Sequence, residues 1–327
     1  MGNLALGQLG VAPFLLGGKA FRWLNRLMPS TVFTPATLPP PQAGKIRYGV
    51  IGCPIAHSLS PAMQVAGFDA LGLPAEYFRI EVPAGTLAHA IPLLLQAGLQ
   101  GWNCTLPHKK EMFRLVSKKD ASALEAQSVN TIRVDKDQLH GFSTDSAGWE
   151  AALQETWQLA TDKLRVLILG CGGVGQTLAR HLTQSGCAAL TLTNREPKRA
   201  TELLRELQSS GTRRFPIQTI LWELSALQTA LSKTDLLVQA TSLGMKEDDS
   251  LPLPLESLQP PLRVYDTIYR KDFTSLVREA RQRGCPAIDG LGMLLYQGAL
   301  SLEIWTGKKA PRAEMQIALE QSAGRKI

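Results

Sequence analysis

Arg165-Val166-Leu167-Ile168-Leu169-Gly170-Cys171-Gly172-Gly173-Val174-Gly175, together with the chain onward to Arg199, decides the fold. The first five residues form a short apolar run of the kind that makes a strand buried on both faces. Gly170, Gly172 and Gly175 then fit G-x-G-x-x-G. Gln176–Gln184 predicts a helix, with Leu178, Ala179 and Leu182 on one face and Gly186 as its stop. A second apolar run, Ala188–Leu192, closes a βαβ unit. Glycines so placed let the chain turn sharply, bring backbone close to a pyrophosphate, and pack helix against strand. The helix start offers its free N–H groups to phosphate. A glycine-rich turn alone can be purely structural; strand, helix and strand in the required order favour a dinucleotide site.

The end of the second strand bears on which dinucleotide is held. An NAD site usually carries Asp or Glu about 20 residues beyond the glycines. Here Thr193-Asn194-Arg195 stands at that place, with Lys198 and Arg199 behind. Cations suit a 2′-phosphate, which favours NADP. Glu196 works against this, and a solvated basic turn is the plain alternative.

Composition sets the limits. The 327 residues are 44% hydrophobic and 19% charged, with a net charge of +7, enough chain for two domains with separate cores. No lysine–arginine block is interleaved with aromatics, which argues against nucleic acid. Cys53, Cys104, Cys171, Cys187 and Cys285 are odd in number and form no C-x-x-C, which predicts reduced thiols and a cytoplasmic setting. No apolar run reaches the length of a membrane span. Residues 1–44 stand apart: no acidic residue precedes Asp69, and Leu38-Pro39-Pro40-Pro41-Gln42-Ala43-Gly44 reads as an extended linker. Phe14–Met28 could form a short basic amphipathic helix or belong to a targeting peptide. A disordered tail is the favoured reading.

Downstream, Arg47–Gly52 predicts a strand and Ser60-Pro61 a helix start, with Ser60 as N-cap. Ser58 and Ser60 are either caps alone or a hydroxyl cradle for a carboxylate beside a helix N-terminus. Tyr77–Val82 and Leu99–Thr105 read as strands around a helix at Leu87–Leu95. Lys109 and Lys110 are ambiguous, since paired lysines at a helix start are usually solvated, and His108 reads as a surface or capping residue. Ala126–Val134 and Leu139–Asp145 predict two more strands, after which Asp145 would by default cap a helix. Strand–helix alternation makes this a second α/β unit. Thr234–Ala240 and Arg263–Tyr269 are further strands. Ser242, Met245 and Tyr269 fall at strand carboxyl ends, where open α/β sheets hold ligands.

Eight segments in order resemble the shikimate dehydrogenase family, from about Arg47 to the C-terminus: His57–Pro61, Asn103–Lys109, Val129–Thr131, Thr144-Asp145, Gly170–Gly175, Asn194-Arg195, Thr241–Met245 and Asp289–Gln297. The resemblance implies an α/β fold of two domains with the active-site cleft between them. A Rossmann-type NADP-binding domain would span 146–288, and an α/β substrate-binding domain 45–145 plus 289–327. The implied activity is reversible, NADP-dependent reduction of 3-dehydroshikimate to shikimate in chorismate and aromatic amino acid biosynthesis. Lys109 and Asp145 match the catalytic pair, an ammonium that stabilises and protonates the developing alkoxide beside the carboxylate that orients it. Ser58 and Ser60 match carboxylate-binding serines. Asn103, Thr105, Asn130 and Gln297 match residues that hold ring hydroxyls, for which neutral donor–acceptor groups are suited. Tyr269 matches a substrate-side tyrosine. Gly170, Gly172, Gly173, Val174, Gly175, Asn194, Arg195, Arg199, Thr241, Ser242, Met245, Gly290 and Met293 fall to the cofactor, and no metal is implied.

The chain departs from the family pattern at Glu196, Ser143, Gln239 and Lys271. Gln239 and Ser143 are expected to loosen packing around the cleft. One rival reading is a quinate/shikimate dehydrogenase using NAD, with Glu196 on the ribose hydroxyl. Another is a non-catalytic NADP-binding sensor. The expected partner is the small-molecule substrate, without nucleic acid or membrane, and a homodimer is admitted rather than required.

Overall fold

Short apolar strands alternating with helices build two sheets in the computed structural model, which describes residues 31–209, 215–246 and 248–325. The first half of the chain runs β1 (Val32–Phe33), β2 (Ile46–Gly52), α1 (Ser60–Ala70), β3 (Ala75–Glu81), α2 (Leu87–Gln96), β4 (Leu99–Cys104) and α3 (Lys109–Leu115). It continues through β5 (Lys118–Lys119), α4 (Ala121–Ala126), β6 (Thr131–Asp135), β7 (Gln138–Phe142) and α5 (Asp145–Trp157). These seven strands lie in the order β1-β3-β2-β4-β6-β7-β5. β1 to β4 are parallel, and β6 runs antiparallel to both β4 and β7.

The second half runs β8 (Arg165–Leu169), α6 (Gly173–Ser185), β9 (Ala189–Thr193), α7 (Pro197–Ser209), β10 (Ile217–Thr219), α8 (Leu224–Leu231) and β11 (Leu236–Gln239). Then come β12 (Arg263–Asp266), α9 (Ser275–Gln282) and β13 (Ala287–Ile288). All six strands are parallel, in the order β10-β9-β8-β11-β12-β13. Renumbered within the sheet this is 3-2-1-4-5-6, the doubly wound dinucleotide order, whose ligand crevice opens where the strand order reverses beside β8. The chain ends in α10 (Leu291–Thr306) and α11 (Arg312–Ser322).

Each sheet is covered on both faces, and in the second β8 and β11 accordingly read as nearly continuous apolar runs. On the first sheet, Phe68, Leu302 and Met315 bring α1, α10 and α11 onto one face, while Leu94, Met112 and Ala123 cover the other from α2, α3 and α4. On the second, Leu178 and Leu203 of α6 and α7 oppose Leu227 and Val277 of α8 and α9. α5 and α10 lie directly against each other: a Cβ on Gly148 would stand 2.7 Å from Gln297 N.

Two expectations are corrected. The linker reading fails for residues 31–44: β1 pairs with β3, Phe33 meets Phe78 edge to face at 5.6 Å, and Leu38 joins the α2 cluster. Arg47, buried to 1% exposure, donates to Pro39 O and Ala97 O, so this stretch also satisfies an interior cation. Residues 1–30, with the candidate Phe14–Met28 helix, lie outside the described residues. Ala126–Asn130 is not strand either. Asp120 caps α4 by accepting from Ser122 N at 2.9 Å, and Gln127 ends it with φ 50°, so β6 begins only at Thr131.

Candidate active site

A cleft of about 400 Å³ opens between the carboxyl ends of β2 and β4 and the loop after β12. Its wall brings together Ser58, Ser60, Asn103, Thr105, Lys109, Asn130, Asp145, Tyr269 and Gln297, with Val174, Met245, Gly290 and Met293 from the expected cofactor set. Residues 58 and 297 meet here because α10 returns across the first sheet.

Lys109 opens α3 and Asp145 opens α5. Lys109 Nζ donates to Asp145 Oδ2 at 2.6 Å, with side-chain exposures of 21% and 5%. Asp145 does not serve as a cap; the N-cap is Thr144, and the Asp145 side chain turns into the cleft. Its position at a helix N-terminus still favours the negative charge. Asn130 Nδ2 donates to Asp145 Oδ1 at 2.9 Å and also reaches Thr144 Oγ1 and, at 3.2 Å, Gln297 Oε1. Asn130 Oδ1 in turn accepts from Thr144 N at 2.8 Å. Both carboxylate oxygens thus have a fixed donor before any ligand enters.

Ser60 is the first residue of α1 rather than its N-cap, and Ser60 N donates to Ser58 Oγ at 3.4 Å. Asn103 differs from its expected role. Its Oδ1 accepts from Tyr77 OH at 2.7 Å, and its Nδ2 lies 2.9–3.1 Å from Ser301 Oγ, Thr131 Oγ1 and Asn130 O. The amide is committed to the protein, so Asn103 braces the wall. Sequence reasoning misses Tyr77, Thr131, Thr144 and Ser301. Ser301 carries one signal, its place one helical turn beyond Gln297 on the same face of α10. His108 holds the N-cap position of α3, one of its two expected places, but it is not at the surface: fully buried, its Nε2 sits 2.6 Å from Val82 O. Burial pushes the thiol of Cys104 well up, so this cleft-lining cysteine stays a protonated spacer.

The remaining cofactor candidates lie at the carboxyl edge of the second sheet. Gly170 has φ +99°, and a Cβ on Gly175 would collide with Gly170 O, so the turn needs glycine at both places. Gly172 and Gly173 have nothing within 4 Å of where a Cβ would be, leaving room for a phosphate over the start of α6. Asn194 Oδ1 holds the loop by accepting from Cys171 N at 3.0 Å. Arg195 and Arg199 are exposed beyond it, and Arg199 Nε pairs with Glu196 Oε2 at 2.9 Å. The donor set fits a dinucleotide carrying a 2′-phosphate.

Gln239 tightens its loop, contrary to expectation. Fully buried, it accepts from Thr241 N at 3.0 Å and donates to Leu243 O at 2.7 Å. Leu243 N is taken by Thr241 Oγ1, and Asp249 Oδ2 accepts from Gly244 N and Lys246 N, which sets Ser242 and Met245 at the rim. Ser143 Oγ is buried without a partner, consistent with a looser fit there.

Three family models match the chain between residues 50 and 320. Residues 50–132 match the shikimate dehydrogenase substrate binding domain, 151–246 the shikimate/quinate 5-dehydrogenase model, and 290–320 the shikimate 5′-dehydrogenase C-terminal domain. The NADP(+)-dependent shikimate dehydrogenase of Desulfitobacterium hafniense is 37% identical over 278 residues, 84% of this chain and 98% of that protein. The Thermus thermophilus shikimate 5-dehydrogenase, solved with NADP(H) and shikimate, superposes with a TM-score of 0.74 at 31% identity, over 85% of this chain and 99% of that one. A Corynebacterium glutamicum quinate dehydrogenase solved with NAD gives 0.77 at 25% identity, over 85% and 99%.

Proposed function

The chain belongs to the shikimate dehydrogenase family, and from that premise we propose how its residues carry the reaction. It is an NADP-dependent oxidoreductase interconverting 3-dehydroshikimate and shikimate, on the route to aromatic amino acids. We assign the substrate to the 45–145 and 289–327 portions and the cofactor to 146–288. The observation that carries the assignment of roles is the Lys109–Asp145 pair, 2.6 Å apart at the cleft wall with Asn130 on the second carboxylate oxygen.

NADPH, when bound, supplies the hydride. The Lys109 ammonium holds a proton at the ketone oxygen, stabilises the alkoxide as it forms, and delivers that proton to it. Asp145 aims the ammonium, and Asn130 keeps the carboxylate from rotating away. Lys109 is partly exposed, so solvent can return its proton. Ser58 and Ser60 take the substrate carboxylate; Thr105 and Gln297 take the hydroxyls, Gln297 by exchanging Asn130 for the ligand at its Oε1, with Tyr269 on the same side. Arg195 and Arg199 take the 2′-phosphate, for which Arg199 must leave Glu196. The five cysteines are unpaired, which supports a cytoplasmic setting. No described helix is long and apolar enough to cross a membrane. A homodimer is the assembly we carry forward, to be measured by sedimentation.

Quinate oxidation with NAD is the second reading, favoured by Glu196, whose ion pair with Arg199 beyond the end of β9 draws that cation away from a 2′-phosphate. Absorbance assays with shikimate or quinate, each with NADP or NAD, separate the two. Turnover should be fastest with shikimate and NADP. Preference for quinate and NAD would establish the second reading. Nucleotide binding without turnover by any combination would leave a sensor.

A further inference from the structure

We propose that Arg79 is a positioning residue for the substrate carboxylate, gripping Ser58 from behind the serine cradle. The proposal rests on the assignment of Ser58 and Ser60 to that carboxylate. Arg79 lies in β3, its backbone fixed on both sides by pairing with Val32 of β1 and Val50 of β2. Its Nε and Nη2 donate to Ser58 O at 3.0 and 2.8 Å. Two donors of one planar fork on one carbonyl set the orientation of that peptide as a single ammonium could not.

The consequences fall on the cleft side of the loop. Ser58 N donates to Ile55 O at 3.0 Å, and Ser58 Oγ accepts from Ser60 N at 3.4 Å. With its oxygen so engaged, the Ser58 hydroxyl keeps its own proton to donate to a ligand. Because a trans peptide is planar, the N–H of Leu59 points opposite to the Ser58 carbonyl that Arg79 grips. Among the described residues, Leu59 N has no protein acceptor. No carboxylate among the described residues lies within ion-pair distance of Arg79; Glu81, two residues along the same strand, instead accepts from Cys53 Sγ at 3.5 Å. The guanidinium therefore polarises a peptide whose donor end faces away from it, and its charge is not neutralised by a contact ion pair.

The test uses Arg79→Met, Arg79→Lys and Ser58→Ala in the full chain, assayed with shikimate and with its methyl ester. Loss of a hydrogen-bonded charge predicts a KM for shikimate raised roughly tenfold or more in Arg79→Met, with kcat and the KM for NADP held within about twofold. Arg79→Lys recovers part of the loss. With the ester, which lacks the negative charge, wild type and Arg79→Met have nearly the same KM. An unchanged KM for shikimate, or an equal penalty on the ester, overturns the proposal. Should Arg79→Met fail to fold, calorimetric titration of shikimate into Arg79→Lys decides: weakened binding supports the role and unchanged binding rejects it. Ser58→Ala separates the two levels. If it raises the KM for shikimate but not for the ester while Arg79→Met does neither, the cradle stands and Arg79 falls. If Ser58→Ala leaves the distinction between acid and ester intact, the cradle assignment falls and Arg79 with it.

Discussion

Lys109 and Asp145 lie 36 positions apart in the chain and 2.6 Å apart in space. Nothing in either residue's local sequence shows that approach; it comes from β4 and β7 each ending beside the cleft. The resemblance to a family supplies the pairing, whereas the residues alone read as a solvated lysine and a helix cap. Asn103 shows the opposite limit, because its type suits a hydroxyl ligand while its neighbours in space claim its amide. Asp266 carries no signal in the sequence at all. Buried at the end of β12, it accepts from Thr274 Oγ1 at 2.6 Å and Ile268 N at 3.0 Å, and burial pushes its carboxyl up to about 7. The unfolded chain ionises this group near its ordinary value of about 4, so between about pH 4 and 7 the folded state binds more protons and stability falls as pH rises. Above about pH 7 the loss is complete. Asp266→Asn removes that slope: thermal melting across pH 4 to 8 should show the variant gaining on wild type by up to a few kcal/mol as pH rises. A constant difference between the two across this range would reject the assignment.

The glycine turn after β8 is the most legible element, because its steric demand is local. Gly175 cannot carry a Cβ without striking Gly170 O, whereas Gly172 has open space around it. Gly175→Ala should therefore lower the melting temperature and abolish nucleotide binding together. Gly172→Ala should keep the wild-type melting temperature and still weaken NADP, because its methyl enters the room meant for phosphate. Equal melting losses in the two variants, or undiminished NADP binding by Gly172→Ala, would contradict this division. Buried parallel strands such as β8 and β11 are equally readable, since both faces demand apolar residues. Short elements escape: β5 and β13 have two residues each, too few for any periodicity, and α11 is defined by packing on α1. β1 escapes for a physical reason, as two residues beside a proline-rich stretch carry no pattern until β3 offers an edge.

At the scale of the molecule, the strand order of the second sheet and the return of α10 across the first are long-range facts that a pattern of runs does not contain. They matter because they bring Lys109 and Asp145 from one sheet to a cleft that Val174 of the glycine turn also lines. α5 and α10 join the two halves, and Gly148 permits their close approach beside Gln297. The Asp289–Arg325 ion pair ties the segment entering α10 to the chain end, where Arg325 also holds Arg270 O. Catalysis should then need Lys109 for proton transfer but not for assembling the cleft. The most direct measurement is kcat of Lys109→Met for NADP reduction by shikimate, beside shikimate affinity by calorimetry. The expected result is a loss in kcat of about 10²–10⁴, the usual worth of a positioned acid–base group, with affinity held within a few-fold. A kcat within a few-fold of wild type would show that the proton moves by another route.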